Sequence, residues 1–340
     1  MRDPHHVLIV GVGSIGERHL RCFKATSRAG VSFVEINDVL RTTISNRYGV
    51  RGFADLETAI ADHADAIHQP ARRVTAAVIA TPANRHLEIA TRLAEAGIHL
   101  LIEKPLSTST DGVDLLTEVV SQRGLVVGVA YVLRCDPAIA AMREAVLSGR
   151  FGKPVEIVAV CGQHFPTYRP AYRETYYVDR ATGGGAIQDA LTHILNAGEW
   201  LVGPIERLVA DAAHRVLEGV TVEDTVHVLT RHGDVLGSYS LNQHQAPHEV
   251  TMTVICERGT VRWETHAQRW RWMMHPDELW HDEPHEPQPR DAMFVTQANR
   301  FLDAVEGRTS LPCSLDDGLQ TLRVNLAALA SVDHGCWQTI

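Results

Sequence analysis

The segment Gly11-Val12-Gly13-Ser14-Ile15-Gly16 follows a short apolar run, Val7 to Val10, and opens an amphipathic stretch. A G-x-G-x-x-G loop between a strand and a helix is the fingerprint of dinucleotide binding, its alternative being a tight strand–helix turn without cofactor. The first glycine permits the tight turn, the second lets a pyrophosphate approach the backbone, and the third lets helix and strand pack closely. Ser14 and Ile15 then head a helix whose exposed N–H groups favour phosphate charge. Glu35 ends the next apolar run, near the roughly 20-residue offset of the acid that binds the adenosine ribose. A carboxylate there accepts both ribose hydroxyls and repels a 2′-phosphate. Ile36 stands where an arginine would help NADP, so NAD is expected and NADP is disfavoured.

Two further segments end buried strands in polar residues. In Ala80-Thr81-Pro82-Ala83-Asn84-Arg85-His86 these are Thr81, Pro82 and His86, and in His99-Leu100-Leu101-Ile102-Glu103-Lys104-Pro105 they are Glu103 and Lys104. Both segments would set their polar groups at the rim where a nicotinamide should lie. A lysine at the end of an apolar strand is partly withdrawn from water, the setting in which an amine becomes useful for proton chemistry. Farther on, Asp189 and His193 are four residues apart, a spacing that places both side chains on one helical face. By itself that pair reads better as an ordinary contact on a helix surface, and only the rest of the pattern turns it into a site.

The elements that must carry these groups follow from periodicity. Up to about residue 130 the chain alternates strands (7–10, 31–36, 76–80, 99–102, 125–129) with helices (14–26, 42–48, 55–64, 87–96, 112–122). Such alternation implies an α/β Rossmann domain with a parallel sheet covered on both faces and ligands beyond the carboxyl ends of its strands. From about 155 the strand-like runs 155–160, 208–214, 225–231, 235–242, 249–257 and 260–264 follow one another through short turns. They predict an α+β domain on a mostly antiparallel open sheet. The expected division is a NAD-binding domain over 1–130 and a substrate-binding and oligomerisation domain over 131–340. The Pro- and His-rich stretch 273–290 reads as a long loop, and a last helix is expected over about 315–331.

Taken together, these segments resemble the glucose–fructose oxidoreductase / inositol dehydrogenase (Gfo/Idh/MocA) family over nearly the whole chain. The likeness rests on the glycine loop, Thr81-Pro82 with His86, the Glu103-Lys104-Pro105 triplet, the 183–193 segment and the tail from Phe301 to Ser331. It implies an NAD(H)-dependent oxidoreductase that moves a hydride to or from a carbinol or ketone of a sugar, cyclitol or sugar derivative. By the same resemblance His193 exchanges the hydroxyl proton, Lys104 hydrogen-bonds the reacting oxygen, and Asp189 orients the substrate or tunes both. Tyr131 and Arg134 would line the pocket near the nicotinamide. Asn196 stands where family members often carry an aspartate, which puts one substrate contact in question.

The segment 163–177 holds His164, Tyr168, Arg169 and Tyr176, and is similar to family branches acting on amino sugars, sialic-acid-like sugars or sugar nucleotides. Its aromatic and cationic groups suit sugar faces and anions, and equally a subunit-interface arm. Trp263, Trp270, Trp272 and Trp280 are read as core or interface packing. The resemblance also implies a homodimer or homotetramer formed through the second domain's sheet.

Composition excludes several classes. The 340 residues carry a net charge of −9 with no run of like charge, against the basic face of a nucleic-acid binder. Six scattered cysteines form neither a disulfide framework nor a zinc motif. Nineteen histidines invite a metal, yet none shows the tight spacing of a known site, so no metal is expected. No apolar run approaches the length that spans a bilayer, and no signal peptide precedes the first strand, so a cytoplasmic enzyme is expected. Two other activities fit the same residues: a redox-assisted glycoside hydrolase or lyase that regenerates its NAD, and a non-catalytic NAD-binding regulator.

Overall fold

The computed structural model describes residues 5–66 and 73–340. Met1 to Pro4, ahead of the first strand, lie outside them. Two compact units result, Met1–Val132 with Gln288–Gly318, and Leu133–Pro287 with Leu319–Ile340.

The first unit begins with β1 (His5–Val10), α1 (Ser14–Ala25), β2 (Ala29–Val34), α2 (Asp38–Tyr48), β3 (Gly52–Phe53) and α3 (Leu56–Asp65). It continues with β4 (Ala76–Ile79), α4 (His86–Glu95), β5 (His99–Ile102), α5 (Val113–Arg123) and β6 (Val127–Val129). The strands lie in the order β3-β2-β1-β4-β5-β6, and each neighbouring pair is parallel. Val7 to Val10 and all of β4 are buried without alternation, as a sheet covered on both faces requires. Strand order reverses at β1 and β4, which puts the ligand crevice of such a sheet at their carboxyl ends.

The second unit contains α6 (Pro137–Leu147), β7 (Pro154–Gly162), the single turn α7 (Phe165–Tyr168) and α8 (Thr192–Val202). Strands β8 (Arg207–Ala213), β9 (Thr225–His232), β10 (Val235–Asn242), β11 (Glu249–Cys256), β12 (Gly259–Glu264), β13 (Arg269–Met273) and β14 (His281–Pro284) follow. The chain closes with α9 (Ala292–Val305), α10 (Leu315–His334) and β15 (Gln338–Thr339). Nine strands form one sheet, β14-β13-β12-β11-β7-β10-β9-β8-β15. Only the β7–β10 pair is parallel; the other pairs run antiparallel. One face of the sheet, with Ile157, Ala159, Tyr239, Met252 and Trp263, packs on α6, α8 and α10 residues such as Met142, Leu195 and Val324.

Two expectations need correcting, and one helix went unread. The two units are not separated by one cut near residue 130, because α9 belongs with the first. Phe301 of α9 meets Phe23 of α1 edge-on at 6.2 Å, and Asp291 pairs with Arg18 and Arg21 of α1 at 3.3 and 2.9 Å. Those contacts cover a helix face that the first 130 residues leave bare. The 273–290 stretch is not wholly loop, since β14 pairs antiparallel with β13 inside it. There Trp272 stacks on His281 at 3.9 Å and Arg271 pairs with Asp282 at 2.8 Å. The helix α6, which periodicity passed over, starts at Pro137 behind an Asp136 carboxylate that accepts the Ala138 and Ile139 N–H groups.

Candidate active site

In the first unit the four buried residues that end β1 deliver the chain into Gly11 at φ +84°. A Cβ at Gly11 would lie 2.9 Å from the Ala80 carbonyl oxygen, and one at Gly16 only 1.9 Å from that of Gly11. At Gly13 it would meet nothing within 4 Å, so the loop is closed on its protein side and open at its middle glycine. Gly13 is also the N-cap of α1 and offers no side chain to its N–H groups. The Glu35 carboxylate is fastened beside this loop, one oxygen accepting Val12 N–H at 3.1 Å and the other Asn37 N–H at 2.9 Å. Next to it Ile36 and Val39 are 83% and 77% exposed, an apolar surface large enough for an adenine face. The Thr81 hydroxyl is buried at the end of β4 without a hydrogen-bond partner among the described residues. An open glycine cradle and an uncapped helix start that offer N–H donors, a fixed carboxylate that accepts, and an unused hydroxyl are the groups a dinucleotide needs, and the residues fit one.

His86 and Glu103 do other work than the sequence suggested. The His86 ring is buried between the carbonyl oxygens of Thr81 and Pro105, at 2.8 and 3.0 Å. Burial lowers its pKa against the pull of those carbonyls, and the ring ties the two rim segments together. Glu103 turns inward, with Oε1 2.6 Å from His19 Nε2 on α1. Its Oε2 accepts the Lys104 N–H at 3.1 Å. Lys104 is half-buried just beyond β5, and Tyr131 is fully buried after β6.

In the second unit the helix holding Asp189 and His193 is not a plain α-helix. Ile187–Leu191 form a π-helical turn that runs directly into α8. Such turns insert a residue into the helix and recur at functional sites. Asp189 and His193 are both half-buried, and the Tyr176 hydroxyl donates to Asp189 Oδ1 at 2.6 Å. The glycines before the turn do not leave room for a ligand. A Cβ at Gly184 would fall 2.3 Å from the Tyr177 carbonyl oxygen, and one at Gly185 would strike Glu223. Their smallness serves close backbone approach. Glu223, buried, accepts Ile187 N–H at 3.1 Å and the Arg180 guanidinium at 2.9 Å, and so fixes where the π turn starts.

Arg134 is buried and bonded to α8. Its Nε donates to Asn196 Oδ1 at 2.9 Å, and its guanidinium lies 5.7 Å from the Trp200 ring. Asn196 donates in turn to Thr321 at 2.9 Å. An amide can accept on one side and donate on the other, which an aspartate at this position could not do. The 163–177 segment divides. Phe165, Tyr172 and Tyr177 form a small core with Leu217, Val220 and Val222. His164, Tyr168, Arg169 and Tyr176 remain exposed, His164 on Thr167 at 2.8 Å and Tyr168 edge-on to His248 at 5.0 Å.

Sequence reasoning missed His19, Glu223 and Asp224. The Asp224 carboxylate accepts N–H groups from Arg215, Val216 and Leu217. Burial raises its pKa, but these bonds outweigh burial and leave it lowered. Two adjacent acids ahead of an alternating strand were the available signal. Among the described residues no group of His, Cys, Asp and Glu is arranged to hold a metal.

Residues 5–131 match the oxidoreductase family with an NAD-binding Rossmann fold, and residues 139–262 match the GFO/IDH/MocA C-terminal domain. The chain belongs to the Gfo/Idh/MocA oxidoreductase family. It is similar to UDP-N-acetylglucosamine 3-dehydrogenase of Acidithiobacillus ferrooxidans, 27% identical over 57% of this chain and 53% of that protein. It thus aligns with about half of that relative's length. Levoglucosan dehydrogenase of Pseudarthrobacter phenanthrenivorans is 24% identical over 75% of this chain and 72% of its own. A solved structure of levoglucosan dehydrogenase in complex with NADH superposes with a TM-score of 0.88 at 20% identity, covering 99% of both chains. That likeness extends the family's fold to the full length.

Proposed function

We propose that this family member is an NAD-dependent dehydrogenase or reductase acting on a secondary hydroxyl or ketone of a sugar, cyclitol or sugar derivative. One observation carries the reading. Lys104 projects from the carboxyl end of β5, the strand beside β4, at the same sheet edge as the open glycine cradle after β1. A bound nicotinamide dinucleotide supplies the site that accepts or returns the hydride. Lys104 hydrogen-bonds the substrate oxygen and stabilises the charge that grows there. His193 takes the hydroxyl proton during oxidation and returns it during reduction. Asp189, held by Tyr176, orients the sugar, and Tyr131 backs the pocket. The exposed His164, Tyr168 and Arg169 serve the distal part of the substrate. The named relatives act on levoglucosan and on a UDP-linked amino sugar, which supports this substrate class.

Glu35 and the exposed Ile36 favour NAD over NADP. The outer face of the second unit's sheet carries exposed Val160, Leu229 and Leu236, which supports assembly of a dimer or tetramer through that sheet. A cytoplasmic setting belongs to the same reading and is supported by six cysteines that form no disulfide.

A panel of sugars, cyclitols and sugar acids, followed by NADH absorbance, tests the proposal. Net NADH formation with at least one class of carbinol is expected, and is lost in Lys104→Ala and His193→Ala. Turnover that needs bound NAD but yields no net NADH would replace the dehydrogenase with a redox-assisted lyase. Binding of NAD without turnover of any compound would leave a regulator.

A further inference from the structure

The chain has three lysines, Lys24, Lys104 and Lys153, among 32 basic residues. Lys24 and Lys153 are exposed, whereas Lys104 is half-buried just beyond β5. The amide of Lys104 is held by Glu103 Oε2 at 3.1 Å, and the other oxygen of that carboxylate is held by His19 Nε2 at 2.6 Å. His19 and Glu103 are 1% and 5% exposed. His19 lies on α1, three residues past the last glycine of the phosphate loop, and its ring rests edge-on against Phe294 of α9 at 5.6 Å. Its Nδ1 is buried with no hydrogen-bond partner among the described residues. Among the described residues the ring therefore has a single polar contact, and that contact is Glu103.

A buried imidazole–carboxylate pair is a costly way to fill a core, since apolar side chains of the same volume usually stabilise as well or better. What this pair does that apolar packing cannot is join two functional elements with directed bonds. One end is the helix whose first turn faces the dinucleotide phosphates; the other is the backbone from which the Lys104 amine projects. We infer that His19 and Glu103 are positioning residues that register Lys104 against the cofactor-binding helix. The inference rests on Lys104 being catalytic as proposed above. His19 touches neither cofactor nor substrate and acts through Glu103.

The substitutions separate this role from simple packing. His19→Leu keeps the volume but leaves the Glu103 carboxylate without its partner. His19→Gln keeps a donor near Nε2. Glu103→Gln keeps an acceptor for the Lys104 amide and presents an N–H that the other His19 tautomer accepts. The measurement uses the full-length protein labelled with 13C at lysine Cε, which gives three resonances assignable through Lys→Arg variants, alongside kcat, KM and NAD Kd.

In His19→Leu the Lys104 resonance should move or broaden while those of Lys24 and Lys153 stay. Turnover should fall about 10- to 100-fold, as misplacement of a reacting group by about 1 Å costs, with NAD Kd unchanged within about threefold. His19→Gln and Glu103→Gln should restore most of both readouts. Should the leucine variant not fold, His19→Asn, whose amide is too short to reach Glu103, carries the same expectation. A folded His19→Leu or His19→Asn protein with an unmoved Lys104 resonance and full turnover would overturn the inference, as would a folded His19→Gln protein as impaired as the leucine one. If Lys104→Ala itself keeps full turnover, the catalytic reading fails, and the Lys104 resonance in His19→Leu still decides the positioning.

Discussion

The Tyr176 hydroxyl reaches Asp189 Oδ1 at 2.6 Å from a segment thirteen residues earlier in the chain. This bond ties the mixed aromatic segment to the π turn and limits the rotamers open to the carboxylate. Tyr176 is 42% exposed, so water competes for the contact. Tyr176→Phe should therefore leave the fold intact and lower kcat/KM by about 3- to 10-fold, the range of one solvent-competed hydrogen bond to a charged group. Steady-state kinetics with the best substrate of the panel check it, and an unchanged kcat/KM would show that Asp189 needs no such partner.

Lys104 and His193 are expected to serve the same chemical event. Each single alanine substitution should lower turnover by about 10²- to 10⁴-fold while NAD affinity stays within a few-fold. Groups that act as a unit are strongly non-additive, so the double variant should be little worse than the poorer single one. Two losses that simply multiply in the double variant would assign the residues to separate steps.

Glu35→Ala should raise the KM for NAD by about tenfold or more and narrow its preference over NADP, because the carboxylate that meets the ribose hydroxyls also repels a 2′-phosphate. Arg41, already at the Glu35 carbonyl oxygen at 2.8 Å, stands near enough to meet that phosphate once the acid is gone. Initial rates with both cofactors at several concentrations decide the matter. A variant that keeps its NAD KM would remove Glu35 from the cofactor site.

Glu223→Ala should destabilise the second unit by about 2–3 kcal/mol, since it leaves the Arg180 guanidinium and the Ile187 amide without their buried acceptor. The half-exposed Arg180 recovers some solvation, which keeps the figure below that of a fully buried pair. Denaturant unfolding gives the difference directly. Glu223→Gln, which retains an acceptor for Ile187, should lose roughly half as much.

Acid should weaken the first unit through Glu306. Hydrogen bonds from Arg28, opposed by burial and aided by His5, hold its carboxyl at about 2 against an ordinary 4.5. A folded-state value below the unfolded one means that its stabilisation is complete above pH 4.5 and disappears as pH falls towards 2. Over that window the melting temperature of the native protein should drop more steeply than that of Glu306→Gln. Parallel curves would show that the carboxylate is not preferentially charged in the folded state.

Much of this architecture could be read from the chain because its signals are local. Short unbroken apolar runs at Val7 to Val10 and Ala76 to Ile79, bounded by glycine, proline or polar residues, read as strands covered on both faces, and the glycine spacing after the first points to the cofactor crevice. The π turn was illegible, since a helix with one inserted residue keeps the same apolar spacing to within a position. His86, Glu103 and Arg134 looked like ligands because their residue types and rim positions suit binding, and nothing local tells whether such a side chain points out or in. Their partners, Pro105, His19 and Asn196, are 19, 84 and 62 residues away. Likewise the strand pairing of Arg269–Met273 with His281–Pro284 was hidden by proline and histidine, which argue for loop when the cross-strand partner is unknown.

The helix Ala292–Val305, placed against Phe23 although it comes long after Val129, has a consequence for biosynthesis. A ribosome that has released only the first six strands has made a nucleotide-binding sheet lacking one of its outer helices, with the apolar side of Ser14–Ala25 still wet. That half cannot complete its folding until nearly all of the second unit has been translated, so the nascent chain must keep a sticky helix face protected through most of its synthesis.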